Sequence, residues 1–104
     1  MNDILTSNEV MSYLGIDYAD DMILQNIKRT IRTADAFLEG AIGKEYPRND
    51  PRAKEVALII TADLYDNRVY TNSAAMTNNV RRLVDDMCLQ LRLELGREQN
   101  GENV

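Results

Sequence analysis

The residue types that carry most enzymatic chemistry are scarce in this chain. Its 104 residues include no histidine and one cysteine, Cys88, so an imidazole base, a Cys/His nucleophile pair and a zinc site of the common ligand types are close to excluded. Cys88 follows Met87 on or beside an apolar helical stripe, where a free thiol packs as a small hydrophobe and is inert. The clustered carboxylates are Asp20/Asp21 and Asp85/Asp86. Adjacent helix residues point about 100° apart and cannot converge on one substrate atom, so both pairs read as capping and solvation. No glycine-rich phosphate loop or calcium-loop pattern occurs. The expectation is a protein without catalysis, cofactor or metal.

The charge balance points the same way. Twelve basic and seventeen acidic side chains leave a net charge of -5, a sign that argues against a protein whose main task is gripping a phosphate backbone. Asp3, Glu9, Asp17, Asp20 and Asp21 stand in a first stretch of 21 residues with no Lys or Arg, and that stretch accounts for the whole imbalance. Lys28, Arg29 and Arg32 read as a charged outer helix face. Of the five tyrosines, Tyr65 and Tyr70 are candidates for an interface, and Tyr13, Tyr18 and Tyr46 for sealing helix ends. One cysteine excludes an intramolecular disulfide and fits a reducing compartment. The longest apolar run, Val56 to Ile60, is five residues, against the roughly 20 a spanning helix needs. No signal-peptide pattern is visible at the N-terminus, so a soluble protein that stays where it is made is expected.

The elements that would position these residues are helical throughout. Thr6 or Ser7 caps a short first helix, with Glu9 at the capping-box spacing and Gly15 as its stop. Asp17, Asp20 and Asp21 precede a long second helix to about Ala41, whose apolar stripe is Ile23, Ile27, Ile31, Ala34, Leu38 and Ala41, with Asp35 and Glu39 turned to solvent or to a partner. Pro47 breaks the chain, and Asp50 then Pro51 starts a third helix to about Tyr70. Leu58 and Ile59 widen its apolar surface beyond a seam. The polar stretch 71–79 is long for a helix connection and is a candidate contact surface. Asn78 or Asn79 caps a medium fourth helix, in which Val80, Leu83, Val84, Met87, Leu91 and Leu95 repeat before Gly96 ends it. No period-two alternation appears, so the fold class is all-α: one domain over 1–96, a small bundle of about four helices (one short, two long, one medium), and a flexible, disordered tail over 97–104.

Two resemblances follow from these residues. From Thr6 to Leu95 the chain resembles the head-tail connector family of tailed bacteriophages, also described as head-completion or DNA-packaging adaptors. The matching residues are Thr6, Glu9, Val10, Tyr13, Leu14, Ile16 and Asp17; then Asp20, Asp21, Leu24, Ile27, Ala34, Leu38 and Glu39, ending at Ile42 and Gly43; then Pro51, Lys54, Val56, Leu58, Ala62, Leu64, Tyr65, Asn67 and Arg68. Leu64 stands where many relatives have an aromatic residue, and Asp63 puts a charge beside it. The resemblance implies a virion structural protein at the head–tail interface, assembled in the host cytoplasm. Its partners would be further copies in a ring, the portal protein, and the next neck or tail-completion protein, with genome DNA passing through the channel without tight binding and no membrane. On that basis Leu58, Ile59, Tyr65 and Arg68 are expected at the subunit interface, and Asp20 and Asp21 facing the channel. Portal or tail docking falls to Met76, at the tip of the 71–79 loop, and to the tail residues Arg97, Glu98 and Val104. A shorter stretch, Leu5 to Ile16, resembles the opening of excisionase-type winged DNA-binding domains, which makes a small helix-turn-helix DNA-binding protein the second reading. Acid follows it here, at Asp17, Asp20 and Asp21, where that family has a basic recognition helix.

Overall fold

The computed structural model describes residues 4–70 and 75–101, apart from the side chains of residue 70 and residues 99–101. The chain is all-α, and among the described residues four helices follow in order: α1 (Ser7–Leu14), α2 (Asp21–Ala41), α3 (Pro51–Tyr70) and α4 (Asn78–Gly101).

Local chemistry sets most of their ends. Thr6 caps α1 with a reciprocal box: its hydroxyl accepts from the Glu9 amide at 3.1 Å, and Glu9 Oε1 accepts from the Thr6 amide at 2.9 Å. Leu5 and Val10 hold the two staple positions around that cap, and both are buried. At the other end Gly15 adopts a left-handed conformation (φ 73°), in which the Gly15 and Ile16 amides turn back onto Ser12 and Met11. Asp20 caps α2, accepting from the Ile23 amide at 2.9 Å. Asp50 starts α3, its carboxylate accepting from the Arg52 amide at 2.8 Å and its carbonyl from the Lys54 amide at 3.0 Å.

The other end of the chain departs from expectation in two places. α4 begins at Asn78, because the Thr77 carbonyl already accepts from the Arg81 amide at 2.9 Å. It also does not stop at Gly96. The left-handed glycines are Gly15 and Gly43, so Gly96 lies within regular helix and α4 runs on to Gly101. At 24 residues it is the longest element and not a medium one. Arg52 holds this extension from α3, 2.7 Å from Glu94 and 3.2 Å from Glu98. Residues 102–104, the rest of the expected tail, lie outside the described residues, as do residues 71–74 of the expected contact loop.

α3 is the centre of the bundle. It packs against α2 most extensively, then against α4 and α1, and it buries Ala53, Val56, Ala57, Ile60 and Thr61. A helix covered from several directions cannot be polar on all but one stripe, which is why Leu58 and Ile59 stand outside its main seam. Both are half-buried against the chain's own core, as are Leu64 and Tyr65. From α2 the stripe Ile27, Ile31, Ala34 and Leu38 enters the core, and Thr30 joins it with its hydroxyl donating to the Asn26 carbonyl at 2.7 Å. α4 contributes Val84, Cys88 and Leu91. Burial pushes the Cys88 thiol up to about 11, which suits an inert packing residue. Ile4 and Leu5, ahead of the first helix, are fully buried as well. Lys54 fixes them, its ammonium donating to the Ile4 carbonyl at 2.9 Å and sitting 3.7 Å from Glu9.

One buried group has no partner: among the described residues the Thr61 hydroxyl oxygen finds no hydrogen bond. Replacing it with an isosteric methyl removes that desolvation cost without leaving a hole. Thr61→Val is therefore expected to raise the unfolding free energy by about 1 kcal/mol in urea titration. Ile60→Ala, which empties a filled core position, is expected to lower it by about 2–5 kcal/mol.

Candidate functional site

Two polar clusters organise the side of the bundle where the α2–α3 connection meets α4. In the first, Asp35 and Glu39 lie one turn apart on α2 and present two carboxylates to the same side. The connection turns back through Gly43 (φ 146°) and delivers Arg48 to them. Arg48 Nε is 3.0 Å from Asp35 Oδ1, and its Nη2 is 2.9 Å from Glu39 Oε1. The guanidinium sits 4.4 Å over the Tyr46 ring, and the Tyr46 hydroxyl donates to Asp35. Burial and this bond to Asp35 raise the Tyr46 pKa, and the Asp35 carboxylate raises that of Arg48. Asp35 and Glu39 thus find their partner within the chain. The arrangement is a clamp between α2 and the connection, in which one guanidinium is shared by two carboxylates.

In the second cluster Arg52 lies 2.7 Å from Asp50 and reaches Glu94 and Glu98 on α4. The Arg52 guanidinium holds the Asp50 carboxyl below its ordinary range. Beside it an open groove of about 380 Å³ runs between α3 and α4, with Val56, Met87 and Leu91 among the residues that line it. Among the described residues no group of three or more metal-ligating side chains converges, and no helix is long and apolar enough to cross a membrane.

The expected contact residues fall at separate places. Leu58 and Tyr65 share one line on α3, while Ile59 and Arg68 turn away to either side of it by roughly a quarter turn. Leu58, Ile59 and Tyr65 are half-buried on the core, so their apolar width is used mostly within the chain. Met76 does not project from a loop tip but is partly buried against the core. Arg97 and Glu98 stand on the last turns of α4, Glu98 engaged with Arg52; Val104 lies outside the described residues. Asp20 and Asp21 are exposed at the start of α2, close in sequence to Tyr18 and Met22, which are 80% and 73% exposed.

Asp63 carries a role that sequence reasoning missed. Its carboxylate accepts from the Thr77 amide at 2.8 Å and from Asn67 Nδ2 at 3.2 Å, and Asn67 also donates to the Ala75 carbonyl at 2.8 Å. The charge that looked out of place on α3 anchors the start of α4. A helical spacing of four between Asp63 and Asn67 was the available signal.

Comparison with protein-family models, with curated proteins and with solved structures finds no match for this chain.

Two outcomes test these clusters. Tyr46→Phe removes a hydrogen bond to a charged acceptor and is expected to lower the unfolding free energy by about 1.5–3 kcal/mol in denaturant titration. Acid should also weaken the fold. Asp50, held down by Arg52, and Glu9, held down by the Thr6 amide, both have folded-state pKa values below their ordinary 3.8 and 4.5. A depressed carboxylate stabilises above its unfolded pKa and loses that contribution as pH falls through the folded value. Thermal midpoints should therefore drop as the pH is lowered from about 5 toward 3, and Asp50→Asn should make the drop shallower.

Proposed function

We propose that this chain is a structural subunit of a phage head-tail connector. Copies form a ring beneath the portal vertex after packaging, extend the DNA channel and offer a surface to the next neck or tail-completion protein. One observation carries the reading: among the residues in which the chain resembles that family, in their order from Thr6 to Arg68, are several that set helix starts or lie in the core. Thr6 and Glu9 close the cap of α1, Asp20 caps α2, Pro51 opens α3, and Ile27, Ala34, Leu38 and Val56 are buried. A ring needs two unlike faces per subunit. The half-buried side of α3 around Leu58 and Tyr65, with Ile59 and Arg68 to either side of it, supplies one, and its partner face lies elsewhere on the neighbouring copy.

The acidic corner supports the same reading. Asp17, Asp20 and Asp21 are exposed at the α1–α2 turn, and a lumen through which DNA slides is better lined with charge that repels phosphate. Asp20 and Asp21 face that lumen. The end of α4, with Arg97 and Glu98, docks on the portal.

The test is copurification with the portal protein of the phage genome that encodes the chain, followed by electron microscopy of the complex. Rings on the portal are expected. Removing residues 97–104 spares the core, since Leu95 is the last of its apolar residues, and should weaken portal binding by at least about tenfold with helix content nearly unchanged. Asp20→Asn with Asp21→Asn keeps a competent cap and should alter ion selectivity through the assembled channel. A chain indifferent to portal that binds duplex DNA with steep salt dependence would replace this reading with the excisionase-like one.

A further inference from the structure

α4 carries a second apolar surface that the bundle does not use. Val84, Cys88 and Leu91 point into the core, but Leu89 and Leu93, two residues either side of Leu91, each lie about 160° around the helix from it. They are 49% and 58% exposed. Two leucines one turn apart on the face opposite the core form a short stripe that, among the described residues, stands outside the core cluster.

Two charges beside the stripe suit a copy of itself. Asp86 and Arg97 lie about three turns apart on nearly one line of the helix, flanking the leucines at either end. Both are exposed, and among the described residues neither enters an ion pair, whereas the adjacent Asp85 is taken by Arg81 at 3.5 Å. If a second α4 is laid antiparallel across this face with the two-fold axis level with Leu91, Leu89 meets Leu93 of the other copy, and Leu93 meets its Leu89. Asp86 and Arg97 are then nearly equidistant from the axis. On an antiparallel pair like flanks face each other, so Asp86 of each copy meets Arg97 of the other. A parallel pairing puts like flanks on opposite sides of the contact, so Asp86 and Arg97 would have neither each other nor their own counterparts across it.

We propose that two copies of this chain associate through the outer face of α4 in an antiparallel, two-fold pair, with Leu89 against Leu93 and Asp86 against Arg97 across the axis. A contact one helix wide falls in the small, reversible class of interfaces, below about 1,200 Å², so the pair forms and dissociates with concentration. A two-fold contact uses the same patch on both chains and closes at two, leaving the α3 edge and the acidic corner free. The proposal stands on observations of α4 alone; it shares Arg97 with the portal-docking end, so a copy seated on the portal gives up the pair.

Light scattering across a concentration series, on the full chain without portal or DNA, tests it. The expected mass rises from that of one chain to that of two and no further. Leu93→Arg, at an exposed position, should keep the helical circular dichroism and melting temperature while remaining monomeric. Asp86→Arg or Arg97→Asp alone turns two attractive pairs into two repulsive ones and should raise the dissociation constant about tenfold. The double variant Asp86→Arg with Arg97→Asp should restore it to within about threefold. A mass that stays at one chain, a mass that passes two chains, or a double variant no better than the singles would overturn the pairing. Loss of portal binding would bear on the connector reading and not on this one.

Discussion

The burial of α3 by the three other helices is the constraint from which the rest of the architecture follows. Ala53, Val56, Ala57, Ile60 and Thr61 are covered almost completely, and each large apolar side chain among them contributes about 1.5–3 kcal/mol by leaving water. Small residues at Ala53 and Ala57 let neighbouring helices approach closely, while Val56 and Ile60 fill the space between. Because α3 is wrapped, its apolar residues are spread around its circumference. The same fact leaves little of Leu58, Ile59 and Tyr65 for any outside partner.

Electrostatics completes what apolar packing begins. An arginine at the start of α3 and another in the connection before it each gather two or more carboxylates from elements distant in sequence. Arg48 ties the α2–α3 connection to α2, and Arg52 ties the start of α3 to the end of α4. Partly exposed pairs of this kind are individually modest. Their larger effect is positional: a guanidinium's planar fork satisfies several acceptors in one geometry, so each cluster holds its segments in a single register. Lys54 does likewise for the segment before α1. Asp63, in reverse, uses one carboxylate to hold the entry to α4.

The surface left over is uneven in character. Acid gathers at the α1–α2 corner, where Asp17, Asp20 and Asp21 lie close in sequence to exposed Tyr18 and Met22. Apolar residues with balanced charges gather on the outer side of α4. Acid at the corner repels phosphate, while the outer side of α4 sets apolar side chains between an acid and a base, so the two surfaces differ in the neighbours they suit.

Helix class and most helix starts were legible in the residues because they rest on short-range rules. A threonine three before a glutamate closes its own cap, an aspartate before a proline opens a helix, and apolar residues at three and four mark a buried face, whatever surrounds them. The stop at Gly96 was misread because glycine ends a helix only where the chain needs a left-handed turn. Here Arg52, more than forty positions earlier, holds Glu94 and Glu98 on a helix that continues. The partners of Asp35 and Glu39, the hold of Asp63 on Thr77 and the burial of Met76 were hidden, since each depends on a contact between segments whose separation in sequence carries no periodic signal; only the Asp63–Asn67 spacing of four hinted at the second. Sequence alone therefore determined where helices form and which stripe of each is apolar. Only the tertiary structure decided which of those stripes meet one another, and that among the described residues Leu89 and Leu93 stay outside the core, because the choice among apolar faces is made by the packing of whole helices around α3.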